Sequence, residues 1–169
     1  MKKFDTPPPV KLVCGILYKE VSWLDPGMLE LKKRFGEADF QSDPVEFTYT
    51  DYYDKEMGKP LYRVFLSFDK LIDATHLADV KVFTNLLEEK YSEQAAYTRV
   101  LNMDTCYMTG AAFILATSKN FAHRIYLGQG VFAQQELLFQ KKKIQTLDWT
   151  YPDYRSYEYQ EMLRKIRDI

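Results

Sequence analysis

The run KLVCGILY at residues 11–18 is almost unbroken in apolar character. Its shortness and β-leaning content predict a strand buried on both faces. A helix is expected next. Asp25 reads as its N-cap, Pro26 as its first residue, and Leu24 with Leu29 as a hydrophobic staple. Met28, Leu31 and Phe35 make the apolar stripe, and Gly36 the stop. Over 45–50, Val45, Phe47 and Tyr49 alternate with Glu46, Thr48 and Thr50, which predicts a strand with one solvated side. LYRVFLSF, 61–68, is a further expected strand. Between them TDYYDKEMGKP is too long for a tight hairpin turn.

Asp73 is the expected cap of a second helix, with Ile72 and Leu77 as its staple. Leu77, Val80, Thr84, Leu87 and Tyr91 follow helical spacing, and Phe83 widens the stripe. SEQAAYT is a polar link and 98–104 a fourth strand. The order β-α-β-β-α-β predicts an α+β fold with a ferredoxin-like core. Beyond it, TGAAFILATSKN reads as a short helix, and VFAQQELLFQ with KIQTLDW as a hairpin around a lysine-rich turn. A last helix opens at Ser156 and buries Tyr159, Met162, Leu163 and Ile166. No repeat or linker divides the 169 residues, so a single domain over 1–169 is expected. Pro7, Pro8 and Pro9 stiffen an extended lead-in over 1–9.

A net charge of −1 argues against a general nucleic-acid binder. No stretch approaches the roughly 20 apolar residues of a membrane span, and MKKFDTPPPV lacks the apolar centre of a signal peptide. Cys14 and Cys106 form no CxxC pair, so free thiols in a reducing cytoplasm are expected. His76 and His123 share no ligand spacing, so no metal site is expected, and His76 reads as a surface residue. The chain lacks GxxxxGK[ST], GxGxxG opening a helix, GxSxG and HExxH. GTP turnover of the phosphate-loop kind is therefore not expected, and no cofactor is indicated.

Four segments carry more polar chemistry than a scaffold needs. In the 50–59 loop, Asp51 and Glu56 are proton carriers or metal ligands in type, Lys59 suits an anion, and Tyr52 suits a pocket wall. On a strand Asn102 and Asp104 point the same way, which suits hydroxyl or base recognition, and Asn85 lies just off the second helix's buried stripe. Residues 119–130 bring Lys119, His123, Arg124, Tyr126 and a Gly-x-Gly. A histidine such as His123 suits acid–base work, and Arg124 offers a planar fork. On a strand those two would face opposite ways. Finally DWTYPDYRS sets Trp149, Tyr151, Tyr154 and Arg155 around a proline turn before a helix start, a plausible anion site or else an aromatic plug.

TDYYDKEMGKPL, KVFTNLLE, HRIYLGQG and DWTYPDYRS, in this order, resemble an uncharacterised bacterial family, domain-of-unknown-function family 4416. The resemblance spans the first strand to the last helix. It implies no established activity, although some members carry the label "GTP-binding protein". Where members read Asn-x-Asp-Pro-Gly-Tyr, this chain has Asn102-Met103-Asp104-Thr105-Cys106-Tyr107.

The expected function is binding of a small anionic or nucleotide-like ligand. Arg155, Arg124 and Lys59 would meet the anion, helped by Lys119, Asn85 and Asn102. Tyr52, Tyr126, Trp149 and Tyr154 would wall the pocket. Should there be catalysis, His123 with Asp51 or Asp104 would be the acid–base pair. The alternatives are a non-enzymatic protein-interaction module using the aromatic surface, and an aromatic core with no site. The segments of one pocket should bring Arg155, Tyr52 and either His123 or Arg124 to a shared cleft.

Overall fold

The computed structural model describes residues 5–95, 98–141 and 143–169. The chain start MKKF, the Ala96-Tyr97 part of the polar link and Lys142 in the lysine-rich turn lie outside the described residues. The protein is α+β: one antiparallel sheet with helices on both faces.

Strand β1 (Lys11–Tyr18) is central and buried nearly throughout, as its apolar run requires. It pairs with β4 (Tyr62–Phe68) on one side and β5 (Leu101–Met108) on the other. Two short strands, β2 (Ala38–Gln41) and β3 (Val45–Glu46), both pair with β4. Beyond β5 come β6 (Ala112–Thr117), β8 (Val131–Gln140) and β7 (Ile125–Gly128), with β9 (Lys143–Thr146) also on β8. Among the described residues the sheet order is β2-β4-β1-β5-β6-β8-β7.

Helices α1 (Val21–Phe35) and α3 (Leu77–Gln94) cover one face, where Leu12, Ile16, Leu31, Leu66 and Leu87 meet. Helix α4 (Tyr157–Arg167) covers the other, packing Tyr159, Leu163 and Ile166 on Phe65, Phe113 and Leu137. A single-turn helix, α2 (Asp54–Met57), sits in the long loop before β4.

Several expectations are corrected. Helix α1 starts at Val21 rather than at Asp25, and Pro26 lies inside it. The first turn is nucleated by the Glu20 carbonyl, which accepts from Trp23 N and Leu24 N. Leu29 is exposed, so the Leu24–Leu29 staple is not formed. The alternation over 45–50 survives in burial, but pairing on β4 extends only over Val45–Glu46, and β2 was not anticipated. TGAAFILATSKN holds strand β6, not a helix, because its six consecutive apolar residues over 111–116 fit either period. The fourth strand runs 101–108 instead of 98–104. Three local signals were right: Gly36 ends α1 at φ 105°, Asp73 accepts from Thr75 N before α3, and Ser156 accepts from Tyr159 N at the start of α4.

Candidate functional site

Strand β5 pairs with β1 along its whole length, but with β6 only from Cys106 to Met108. Among the described residues, Leu101–Asp104 thus has one edge with no strand partner. A cleft of about 710 Å³ opens there, between β5, β6 and α3, under the 49–53 loop and Tyr151–Asp153. Buried backbone groups need partners. At Met103 the α3 side chains supply them: Lys81 Nζ donates to its carbonyl at 2.8 Å, and Glu88 Oε1 accepts from its N–H at 2.6 Å. Two ionisable residues stand where a strand would have been. Burial pushes the Glu88 carboxyl up to about 7, against the opposing pull of Lys81 and the Met103 N–H.

The floor is built on Arg63, which is 1% exposed. Its Nη1 donates to Asp104 Oδ2 at 2.7 Å and to the Gly15 carbonyl at 3.0 Å, and Asp153 lies 3.5 Å from Nη2. Its guanidinium also sits over the Phe47 ring. Burial pushes the Asp153 carboxyl above the usual range, with Arg63 pulling it back. Asn102 Nδ2 donates to Asp104 Oδ1 at 3.2 Å, and Asn102 Oδ1 accepts from Arg99. The amide and carboxylate do share one face of β5, as their spacing requires.

One wall carries Arg124. Its Nε donates to Gln134 Oε1, its Nη1 to the Lys119 carbonyl and its Nη2 to the Tyr151 hydroxyl, at 2.8, 2.7 and 3.0 Å. Two of its five N–H bonds remain. Lys119 Nζ reaches the Tyr52 hydroxyl at 2.7 Å. Gln134 in turn donates to Glu136, whose Oε1 accepts from Tyr151 N. Glu136 sits where β8 carries an extra residue against β6, opposite the Phe113–Ile114 step, and the bulge turns it inward. Its burial pushes the carboxyl up to about 7.

His123 and Arg124 precede β7 in a turn rather than lying on a strand, so both reach Gln134. Arg124 Nε can only donate, so the shared Gln134 atom is the oxygen. His123 Nε2, 2.8 Å from that oxygen, therefore carries a proton and is committed to it. The His123 ring stacks on Trp149 at 4.7 Å and 11° and lies outside the cleft.

Of the residues expected at a site, Tyr52, Asn85, Asn102, Asp104, Lys119 and Arg124 line this cleft. Seven do not. Asp51 and Lys59 pair with each other at 3.3 Å in their exposed loop, where Lys59 also meets Asp54. Tyr126 is exposed on β7 against Phe132. Tyr154 is fully buried among Phe65, Phe113 and Tyr159. Trp149 donates to the Gln135 carbonyl, with His123 stacked against it. Arg155 gives its fork to the carbonyls of Leu147, Asp148 and Thr150. The shared cleft thus holds Tyr52 and Arg124 but not Arg155. DWTYPDYRS supplies Tyr151, Pro152 and Asp153 to the cleft, while its Tyr154 plugs the core among Phe65, Phe113 and Tyr159.

Sequence reasoning missed Arg63, Lys81, Glu88, Gln134 and Glu136. The signal was partial and clearest for Arg63, the one charged residue of its strand. Arg63 stands alone in LYRVFLSF, and Lys81 and Glu88 each sit one position from the α3 stripe.

Among the described residues, no helix is long and apolar enough to cross a membrane, and no three His, Cys, Asp or Glu are grouped to hold a metal. No curated protein and no solved structure matches the chain significantly. A family model described as "Domain of unknown function (DUF4416)" matches residues 8–169, and the chain belongs to that family.

Proposed function

We propose that the cleft beside β5 binds a small anionic, nucleotide-like ligand. One observation carries this reading: Lys119 and Arg124 line the same cleft as the Asn102–Asp104 floor, with Tyr52 beside them. Cations in a concave, partly apolar setting attract anions more strongly than on open surface. The spare N–H bonds of Arg124 suit a phosphate or carboxylate edge. Tyr52, Tyr53 and Tyr151 offer faces for a planar group. If proton transfer accompanies binding, Asp104 is the expected acid–base residue that lines the cleft, whereas His123 and Asp51 lie outside it.

The wider reading is a bacterial, cytoplasmic, single-domain protein with no general affinity for nucleic acid. Two free, buried cysteines and the net charge of −1 support parts of it. A ferredoxin-like core is supported by the β2-β4-β1-β5 order with α1 and α3 on one face. A protein-interaction role is favoured by a different observation: Phe121, Ile125, Tyr126 and Leu127 are all exposed at the β7 edge.

Native mass spectrometry of freshly purified protein, with a thermal-shift screen of nucleotides and phosphorylated metabolites, tests ligand binding. A stabilising anion whose affinity drops about tenfold in Lys119→Ala is expected, the loss of one charged contact. No bound mass and no shift across the screen would count against a ligand site and leave the interaction module as the better reading.

A further inference from the structure

Glu88 is 8% exposed and only half used by the protein. Its Oε1 holds Met103 N–H, whereas Oε2 has no hydrogen-bond partner among the described residues. Yet Oε2 is not a sealed orphan. Among the described residues, the buried side-chain atoms with no hydrogen-bond partner are Glu56 Oε2, Arg63 Nε, Thr105 Oγ1 and the hydroxyls of Tyr154 and Tyr159. The free Glu88 oxygen therefore opens to the cleft that Glu88 lines. Asn85, one turn earlier on α3, lines the same cleft, and its amide has no partner among the described residues.

We propose that Glu88 and Asn85 form a second subsite, which reads the N–H-donating edge of a planar heterocycle carried by the ligand. The inference rests on the anionic-ligand reading above and assigns the other end of that ligand. A carboxylate oxygen can only accept, and an amide can both donate and accept, so the pair matches a ring edge that carries both kinds of group. The groups facing Glu88 are Lys81, Arg99 and Asp104, and it acts in turn on Cys14.

Three nucleotides separate the possibilities: adenosine, inosine and purine riboside 5′-monophosphates. They share the phosphate and ribose, but purine riboside has no N–H on its six-membered ring edge. Isothermal titration at pH 7.5 should show adenosine or inosine monophosphate binding at least about tenfold tighter than the purine riboside compound, because a site built for a donor is left unpaired by its absence. Asn85→Ala should bring that ratio within about threefold, by weakening the adenosine and inosine compounds more than the purine riboside compound. Glu88→Gln should weaken the preference in the same way. Equal affinity for all three would overturn the subsite and leave the anion site standing. No binding of any of the three, in a protein that also gave no hit in the anion screen, would overturn both.

Discussion

Arg63 and Asp104 meet at 2.7 Å although the whole width of β1 separates their strands. The route passes over Gly15, which pairs with Phe65 on one side and with Asp104 on the other. A Cβ at Gly15 would stand 3.2 Å from Arg63 Nη1 and 3.0 Å from the Phe65 ring. The missing side chain on the central strand is what lets a buried cation from β4 reach a carboxylate on β5. It also lets the Gly15 carbonyl take a second Arg63 hydrogen bond at 3.0 Å.

Removing that cation should be severe. Arg63→Ala would leave Asp104 and Asp153 without their shared counter-charge in a largely buried floor. Breaking a buried pair from one side costs about 3–5 kcal/mol. Urea denaturation should show a lower midpoint at unchanged slope. Gly15→Ala should act in the same direction, by about 1–3 kcal/mol, through overpacking at Arg63 and Phe65. Unchanged midpoints in both would mean the floor does not stabilise the fold.

Legibility from sequence followed the range of the interaction. Ser156 and Asp73 were readable because a cap is decided by three or four neighbouring residues. The start of α1 was misread because Asp25-Pro26 is a good local cap signal that tertiary packing overrides. The helix runs past it and presses Gly27 against Leu101 and Met103, where a Cβ would lie 2.8 Å from Leu101 Cδ1. The cleft was half readable. Lys119, Arg124, Asn102 and Asp104 lie in segments whose polar density marked them. Glu88 and Gln134 were invisible as site residues because their partners are 15 and 10 positions away, or more, on other elements. Nothing local says that β6 leaves β5 at Cys106.

Arg155 was expected to hold an anion, and the structure gives it a different task. Three hydrogen bonds run from its fork to the Leu147, Asp148 and Thr150 carbonyls and tie the turn before α4. Arg155→Lys should therefore lower stability by about 1–2 kcal/mol, since an ammonium cannot span those acceptors. Affinity for any ligand found in the cleft should be unchanged. Thermal melting beside a titration separates the two effects, and a binding defect at wild-type stability would reinstate the anion role.

Cys14 and Cys106 lie on neighbouring strands yet on opposite faces of the sheet. Cys14 belongs to the α1–α3 side, and Cys106, opposite Val13, to the α4 side. They cannot bridge without turning a strand over. Burial pushes Cys14 up to about 12 and Cys106 well above its usual range, so both are poor thiolates. Iodoacetamide at pH 8 without reductant should add no label to the native protein and two after denaturation. Prompt native labelling would show that the core opens readily.

The final prediction concerns pH. Glu88 has its carboxyl pushed from 4.5 to about 7 by burial, so the folded chain holds that proton more tightly than the unfolded one. Between those values the native state binds more protons, and stability must fall as pH rises. The contribution is fully present below about 4.5 and lost by the time pH has passed about 7. On this single group the loss is about 3 kcal/mol. Glu136, also pushed up to about 7, adds in the same direction. Glu88→Gln keeps an oxygen for Met103 N–H and places an amide toward the cleft, so the backbone contact survives while the titration disappears. Chemical denaturation of wild type and Glu88→Gln at steps from pH 4.5 to 8 should give a shallower decline in the variant, with the gap widest at pH 8. Parallel curves would show that Glu88 is charged at neutral pH in the folded protein, drawn down by Lys81 and Arg99 despite its burial.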